Sequence, residues 1–263
     1  MIAVFGGASE GGDIASGLAQ EGIDCALFVT TDAGDEFFRA RFKGSSGAPD
    51  STLVVVGALD GARLLNVLVG EKFTAVIDAT HPFATEISKN LRCACASVDV
   101  PLLRLDREPT EIREGSDVRI AADYREAARL ASSFNGSIFL TIGSRRLEEF
   151  VAEFSGAVQR LVARVLSEPS SLEACLAARI PRSNIIAAVG PFSVEFNMAC
   201  IRERMCEVLV TKDSGARGGT PEKLEAAARL DIPVVMVRRP GFEKNSVTSV
   251  AAALKWGLTH ASC

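Results

Sequence analysis

The chain has 263 residues, and its 29 Lys plus Arg against 33 Asp plus Glu leave a net charge of −4, so no global field draws it to nucleic acid or an anionic membrane. Hydrophobic residues at 48% and charged residues at 24% describe a folded globule of one large or two smaller domains, which excludes a disordered or collagen-like chain. No stretch approaches the roughly 20 apolar residues of a membrane span, and Met1–Phe5 runs into Gly6-Gly7 too soon for a signal-peptide core, so a cytoplasmic location is expected.

Short β-branched or aliphatic runs occur at Ile2–Phe5, Cys25–Thr30, Thr52–Val56, Ala75–Ala79, Leu102–Leu105, Ser137–Ile142, Val158–Val165, Asn184–Ala188, Glu207–Thr211 and Pro233–Val237, most of them without polar alternation. Helical patterns fall between them, near Gly12–Gln20, Ala58–Val69, Phe83–Val98, Asp123–Phe134, Arg145–Val151, Ser170–Ala178, Ser193–Arg204, Glu222–Leu230 and Ser246–Trp256. Such runs are what strands covered on both faces look like. They predict an α/β fold of two Rossmann-like lobes, each a mainly parallel sheet flanked by helices, with the active site in the cleft between them. The polar stretch Asp106–Ser116 marks the division. Residues 1–109 are then a dinucleotide-binding domain and 110–263 a substrate-binding domain, with the last helix able to pack back on the first. Asp32–Ser51 reads as an irregular surface zone. Seven scattered cysteines and two histidines, His81 and His260, lack metal-ligand spacing; no metal is expected, and the cysteines read as small core hydrophobes in a reducing compartment.

The first strand empties into Gly6-Gly7-Ala8-Ser9-Glu10-Gly11-Gly12, after which Ile14, Ala15, Leu18 and Ala19 mark a helix face. Glycines let the backbone approach a pyrophosphate, and free N–H groups at a helix start hold the anion. Gly6-x-Ala8-x-x-Gly11 matches the dinucleotide fingerprint loosely, and a glycine turn without a nucleotide is the plainer alternative. The second strand ends at Thr30-Thr31-Asp32, where Asp32 would accept from an adenosine ribose and so favours NADH; it reads equally as a solvated turn residue. Asp78-Ala79-Thr80-His81-Pro82-Phe83 places Asp78, Thr80 and His81 at the carboxyl edge where open α/β sheets bind ligands, with Pro82 in the first turn of the next helix and Thr80 or His81 as its cap.

In the second half, Gly143-Ser144-Arg145-Arg146 repeats the turn and helix start with two guanidinium groups, a cradle for a carboxylate or phosphate unless both are ordinary surface arginines. Gly190-Pro191-Phe192-Ser193 is a further strand-to-helix turn. Lys212 ends an apolar strand, where its charge would be partly desolvated, ahead of Asp213-Ser214-Gly215-Ala216-Arg217. Arg238-Arg239-Pro240 adds charge near the same edge.

Gly6-Gly7-Ala8-Ser9-Glu10, Asp78-Ala79-Thr80-His81-Pro82-Phe83-Ala84, Gly190-Pro191-Phe192-Ser193 and Thr211-Lys212-Asp213-Ser214-Gly215, in this order, resemble the precorrin-6A reductase family of cobalamin biosynthesis, over essentially the whole chain. Ala8 departs from the family's usual Thr, and Gly12 stands where an Arg commonly follows, so side-chain contacts from those positions do not carry over. The resemblance implies hydride transfer from NADH, or alternatively NADPH, to a ring double bond of precorrin-6A or cobalt-precorrin-6A, giving the 6B form. Thr31-Asp32-Ala33-Gly34 and the missing early Arg look more like the cobalt-containing, anaerobic branch.

On this resemblance the cofactor site comprises Gly6, Gly7, Ala8, Ser9, Glu10, Gly11, Thr31, Asp32, Asp78, Thr80, His81 and Pro82. The substrate site comprises Gly143, Ser144, Arg145, Arg146, Phe192, Ser193, Lys212, Asp213, Ser214, Gly215, Arg217 and Arg238, whose cations suit the acetate and propionate arms of a tetrapyrrole-derived macrocycle. The implied partners are that macrocycle and neighbouring pathway enzymes. His81 and Lys212 are the candidate proton donors; an ordered water or a substrate carboxyl would serve equally. The reading leans against an essential protein acid, because holding the reacting carbons about 3–3.5 Å apart in a dry site carries much of the catalysis.

Two other classes remain in view. A short-chain-type oxidoreductase shares the glycine loop but needs Tyr-x-x-x-Lys, and the sole tyrosine, Tyr124, has Ala128 four positions on. A non-catalytic NAD(P)-binding sensor is the other.

Overall fold

A computed structural model of the chain describes residues 1–6, 10–30, 35–36, 38–39, 52–57, 59, 61–241 and 246–261. They fall into two compact units, one of Met1–Arg107 with Pro240–Cys263 and one of Glu108–Arg239. The chain starts the first unit with β1 (Ile2–Gly6), α1 (Glu10–Gln20), β2 (Cys25–Val29), β3 (Thr52–Val56), α2 (Gly61–Gly70), β4 (Ala75–Ala79), α3 (Thr85–Ser97) and β5 (Leu102–Leu105). The second unit follows: β6 (Val118–Ala121), α4 (Tyr124–Ser132), β7 (Ser137–Leu140), α5 (Leu147–Glu153), β8 (Leu161–Val165), α6 (Pro169–Ala177), β9 (Ile185–Ala187), α7 (Val194–Glu203), β10 (Cys206–Lys212), α8 (Thr220–Arg229) and β11 (Val234–Val237). β12 (Ser246–Val247) and α9 (Val250–His260) then return to the first.

Among the described residues each unit carries one six-stranded sheet, ordered β12-β5-β4-β1-β2-β3 and β6-β11-β10-β7-β8-β9, with every pairing parallel. The expected α/β class of helix-flanked parallel sheets is what is found. Parallel strands need both faces covered, and the period-2 alternation of β1 shows how. Ile2 and Val4 pack with Ile14 and Leu18 of α1 and Ala253 of α9, while Ala3 and Phe5 pack with Leu64 and Leu68 of α2 and Leu91 of α3. Phe5 and Phe28 stack at 4.3 Å. In the second unit Phe139, Leu209 and Met236 pack on Ile201 of α7 and Ala227 of α8.

The two sheets share one strand order, but each takes its edge strand from the far side of a chain crossing. β6 follows β5 in sequence and pairs with β11; β12 follows β11 and pairs with β5. The sequence puts the boundary at 109/110 with only the last helix free to return. In the structure the return begins at Pro240, because β12 completes the first sheet before α9 packs on α1 and β4. Neither exchanged strand is among the predicted ones. β6 reads VRIA with a half-exposed pattern, and β12 is two residues long and falls inside a predicted helix.

Candidate functional site

In both sheets the strand order reverses at one place, between β1 and β4 in the first and between β7 and β10 in the second. The carboxyl ends of the strands at such a switch point are where open α/β sheets bind ligands.

At the first switch point Gly6 ends β1 opposite Ala79 at the end of β4. A side chain at Gly6 would put its Cβ 2.9 Å from the Ala79 carbonyl oxygen, so only glycine lets the strands end side by side here. Helix α1 opens at Glu10, which is buried and held by Arg107 through Nε to Oε1 at 2.8 Å and Nη2 to Oε2. This pair offsets a negative charge at a helix start that would otherwise compete with a phosphate. Gly11 is buried, and a Cβ there would lie 3.2 Å from Gly6 Cα. Gly7, Ala8, Ser9, Thr31 and Asp32 lie outside the described residues.

Asp78, 2% exposed, does not face solvent. Its Oδ1 pairs with Arg104 Nη1 at 2.7 Å and accepts from the Thr80 N–H and hydroxyl at 3.0 and 2.7 Å. Arg104 also donates to the hydroxyls of Thr80 at 2.9 Å and Ser88 at 3.1 Å, and to Asp106 at 3.1 Å. The expected cap is therefore absent: α3 begins at Thr85, later than predicted, with Ala84 at its N-cap and no side-chain cap. Thr80 is committed to the Asp78–Arg104 network instead. His81 Nδ1 accepts from the Phe83 N–H at 3.1 Å, which in a neutral ring leaves the proton on Nε2. Pro82 is buried.

The second switch point repeats this plan with other residues. Asp213, just beyond β10, pairs with Arg239, just beyond β11: Nη2 to Oδ1 at 2.7 Å and Nε to Oδ2 at 2.8 Å. Thr110 donates to Asp213 through its hydroxyl at 2.7 Å and its N–H at 3.2 Å, and Gly215 N–H through 3.3 Å. Burial alone would raise the Asp213 carboxyl; hydrogen bonds from Arg239 and Thr110 outweigh it and hold the group below the ordinary Asp range. The loop that follows needs φ +73° at Gly215 and closes on Thr220, whose hydroxyl accepts from Ser214 N–H at 3.0 Å and donates to the Lys212 carbonyl at 3.3 Å. Ser214 is itself buried, and Arg217 is exposed on the short turn beyond it.

Other sequence candidates part company here. Gly143 and Ser144 follow β7, with the Ser144 hydroxyl 3.0 Å from that of Ser171. Arg145 is exposed with no ion pair among the described residues, whereas Arg146 turns to Glu149 at 3.2 Å and lies 5.9 Å from the Tyr124 ring. Ser193 caps α7, accepting from Phe196 N–H at 3.1 Å, and Phe192 stacks on Phe196 at 5.0 Å. Arg238 is exposed; its neighbour Arg239 is the buried partner of Asp213.

Besides Arg104, two buried cations escape sequence reasoning. Arg164 on β8 lies over the rings of Phe192 at 4.0 Å and Phe139 at 5.2 Å and donates to Asn197 Oδ1 at 2.8 Å; burial pulls its pKa down to about 10. Lys223 on α8 donates to the Gly218 carbonyl at 3.2 Å, and burial, then Arg164 and Lys212, pull its ammonium down to about 7 against the opposing Glu222. The signal for Arg164 was present as a lone charge inside LVARV, a fully buried strand. Lys223 carried no signal beyond its place in a helix start.

Among the described residues no cluster of His, Cys, Asp and Glu could hold a metal, and no helix is long and apolar enough to cross a membrane. Cys25, Cys95, Cys175, Cys200 and Cys206 are buried, and burial pushes the Cys95 thiol up to about 11 and that of Cys206 to about 12, as inert core thiols require.

A cobalt-precorrin-6A reductase of Priestia megaterium is 34% identical over 251 residues, covering 95% of this chain and 94% of that protein. A precorrin-6A reductase of Rhodococcus erythropolis is 37% identical over 206 residues, covering 77% of this chain and 79% of that one. A solved structure of CobK precorrin-6A reductase superposes with a TM-score of 0.77 at 25% identity, over 98% of this chain and 96% of the other. The family model described as "Precorrin-6x reductase CbiJ/CobK" matches residues 1–257, and the chain belongs to that family.

Proposed function

We propose that this chain is a reductase of cobalamin biosynthesis that adds a hydride and a proton across a ring double bond of a precorrin-6A macrocycle, preferring the cobalt-containing form and NADH. The observation that carries the reading is the family match over nearly the whole chain. The preference for NADH rests on Asp32, an acidic residue where a 2′-phosphate would call for an arginine. That for cobalt rests on Thr31-Asp32-Ala33-Gly34 and the missing early arginine.

The described residues fit a dinucleotide. Glycine at position 6 brings the ends of β1 and β4 together at the switch point, α1 starts just beyond, and Arg107 neutralises Glu10 at that start. Gly6 to Gly11, Thr31, Asp32, Thr80, His81 and Pro82 would hold the cofactor. A bound reduced nicotinamide supplies the hydride. Asp78 acts through others: it orients Thr80 and anchors the turn that presents His81. His81 Nδ1 accepts from the Phe83 N–H, a bond that a charged ring would lose, which supports a positioning role over that of an acid. Lys212 and the arginines of the second unit bind the macrocycle's carboxylates. Asp213, buried and held by Arg239, shapes the Lys212–Thr220 loop from below.

The test is anaerobic mixing of the protein with cobalt-precorrin-6A and NADH while the nicotinamide absorbance and the macrocycle spectrum are followed together. Both should change in step; loss of NADH with an unaltered macrocycle refutes the assignment. Tighter binding of NADPH than of NADH refutes the cofactor choice, as does an Asp32→Ala variant that keeps the original preference. Turnover of His81→Ala should fall by less than about tenfold, since a general acid contributes at least about a hundredfold.

A further inference from the structure

Four cations are buried among the described residues: Arg104, Arg164, Lys223 and Arg239, at 5%, 6%, 7% and 9% exposure. Arg104 and Arg239 are paired with Asp78 and Asp213. Arg164 and Lys223 have no carboxylate within ion-pair distance among the described residues. Arg164 is held by the Asn197 amide and the Cys200 side chain, and Lys223 by a single backbone carbonyl. A buried charge without a counter-charge is costly, and proteins keep one where something else supplies the compensation.

The surroundings hold both groups in place. The Arg164 guanidinium is set by the faces of Phe139 and Phe192 and by Asn197, itself anchored through Nδ2 to the Ser193 carbonyl at 2.7 Å. Lys223 stands on the first turn of α8, against the loop that Thr220 ties to Lys212. Its ammonium has three donors and one acceptor, Gly218. The charged groups acting on it are Arg164 from β8, Lys212 from the end of β10 and Glu222 from its own helix, two like charges against one opposite.

We propose that Arg164 and Lys223, with Lys212, form a receptor for one carboxylate arm of the anionic substrate, which enters as the counter-ion the protein omits. This deepens the reductase reading and rests on it for the identity of the substrate. In the unliganded chain Lys223 is partly neutral near pH 7, because its ammonium is held down to about 7. A carboxylate favours the charged form, so binding takes up a proton from solvent, and the arm and the new ammonium leave as a neutral pair buried together.

The test follows the Lys223 side-chain Cε resonance of the intact chain through a pH titration, assigned by its loss in Lys223→Met, with and without saturating cobalt-precorrin-6A. The midpoint should rise by about one pH unit or more on binding, and Lys223→Met should bind the macrocycle roughly tenfold more weakly at pH 7, the loss expected of one charge-assisted hydrogen bond. A macrocycle that binds without moving the midpoint, or a variant that binds within about twofold of the parent, overturns the receptor and leaves the reductase reading standing. Should the parent fail to bind the macrocycle, the reductase reading falls instead, and citrate becomes the probe. An upward shift of the midpoint with citrate supports an anion receptor, and none overturns it.

Discussion

Replacing Asp213 by Asn removes one charge and almost no volume. The carboxylate takes two bonds from Arg239, two from Thr110 and one from Gly215, and both Asp213 and Arg239 are less than a tenth exposed. The substitution leaves a buried guanidinium facing a neutral amide, whose NH2 group cannot accept. Breaking a buried pair from one side costs about 3–5 kcal/mol. Removing both charges in Asp213→Asn with Arg239→Met should cost clearly less than the sum of the two single changes, because no charge is left stranded. The sole tyrosine, Tyr124, lies in the second unit, so its fluorescence in a Trp256→Phe background reports urea unfolding there. A single-variant loss below about 1 kcal/mol, or additivity in the double variant, would refute the claim that this pair holds the loop.

Three further outcomes are expected. Gly6→Ala presses a methyl to 2.9 Å from the Ala79 carbonyl oxygen, a backbone atom that cannot swing away, and should lower the stability reported by Trp256 by about 1–3 kcal/mol; an unchanged midpoint contradicts this. Thr211 Oγ1 is buried without a hydrogen-bond partner, so Thr211→Val should raise stability by about 1 kcal/mol on thermal unfolding, and a loss would show an unseen partner. Lys223 titrates near pH 7 when folded and near 10.4 when unfolded, so across that window the unfolded chain holds more protons and stability rises with pH. Below about 7 both states are charged and the full burial cost is present; Lys223→Met should flatten the rise, and an identical slope in both proteins excludes Lys223 as its source.

The layered architecture was legible because short unalternated runs such as Ala75–Ala79, bounded by turn residues, fit a strand covered on both faces. β6 and β12 were not, since VRIA and a two-residue strand become strands only by lying against β11 and β5, a non-local fact. The same holds at the site. Asp78, Thr80, Lys212 and Asp213 stand out in the sequence because strand ends at a switch point are recognisable positions. Arg239 was passed over for Arg238 because alternation sends one inward and one outward, and only the packed sheet says which. Arg164 was overlooked inside LVARV because a strand of buried residues carries no mark for a charge whose compensation comes from rings on other elements.

The reciprocal exchange of edge strands reverses the usual order of events during synthesis, in which the earlier part of a chain folds first. Once the chain has been made as far as Arg239 every strand of the second sheet exists, yet the first still lacks β12 and the helix that covers Ile2, Val4 and Leu18. The opening half must therefore wait, partly uncovered, for residues made after Arg239, and a chain stopped near Pro240 would carry a finished second half attached to an unfinished first.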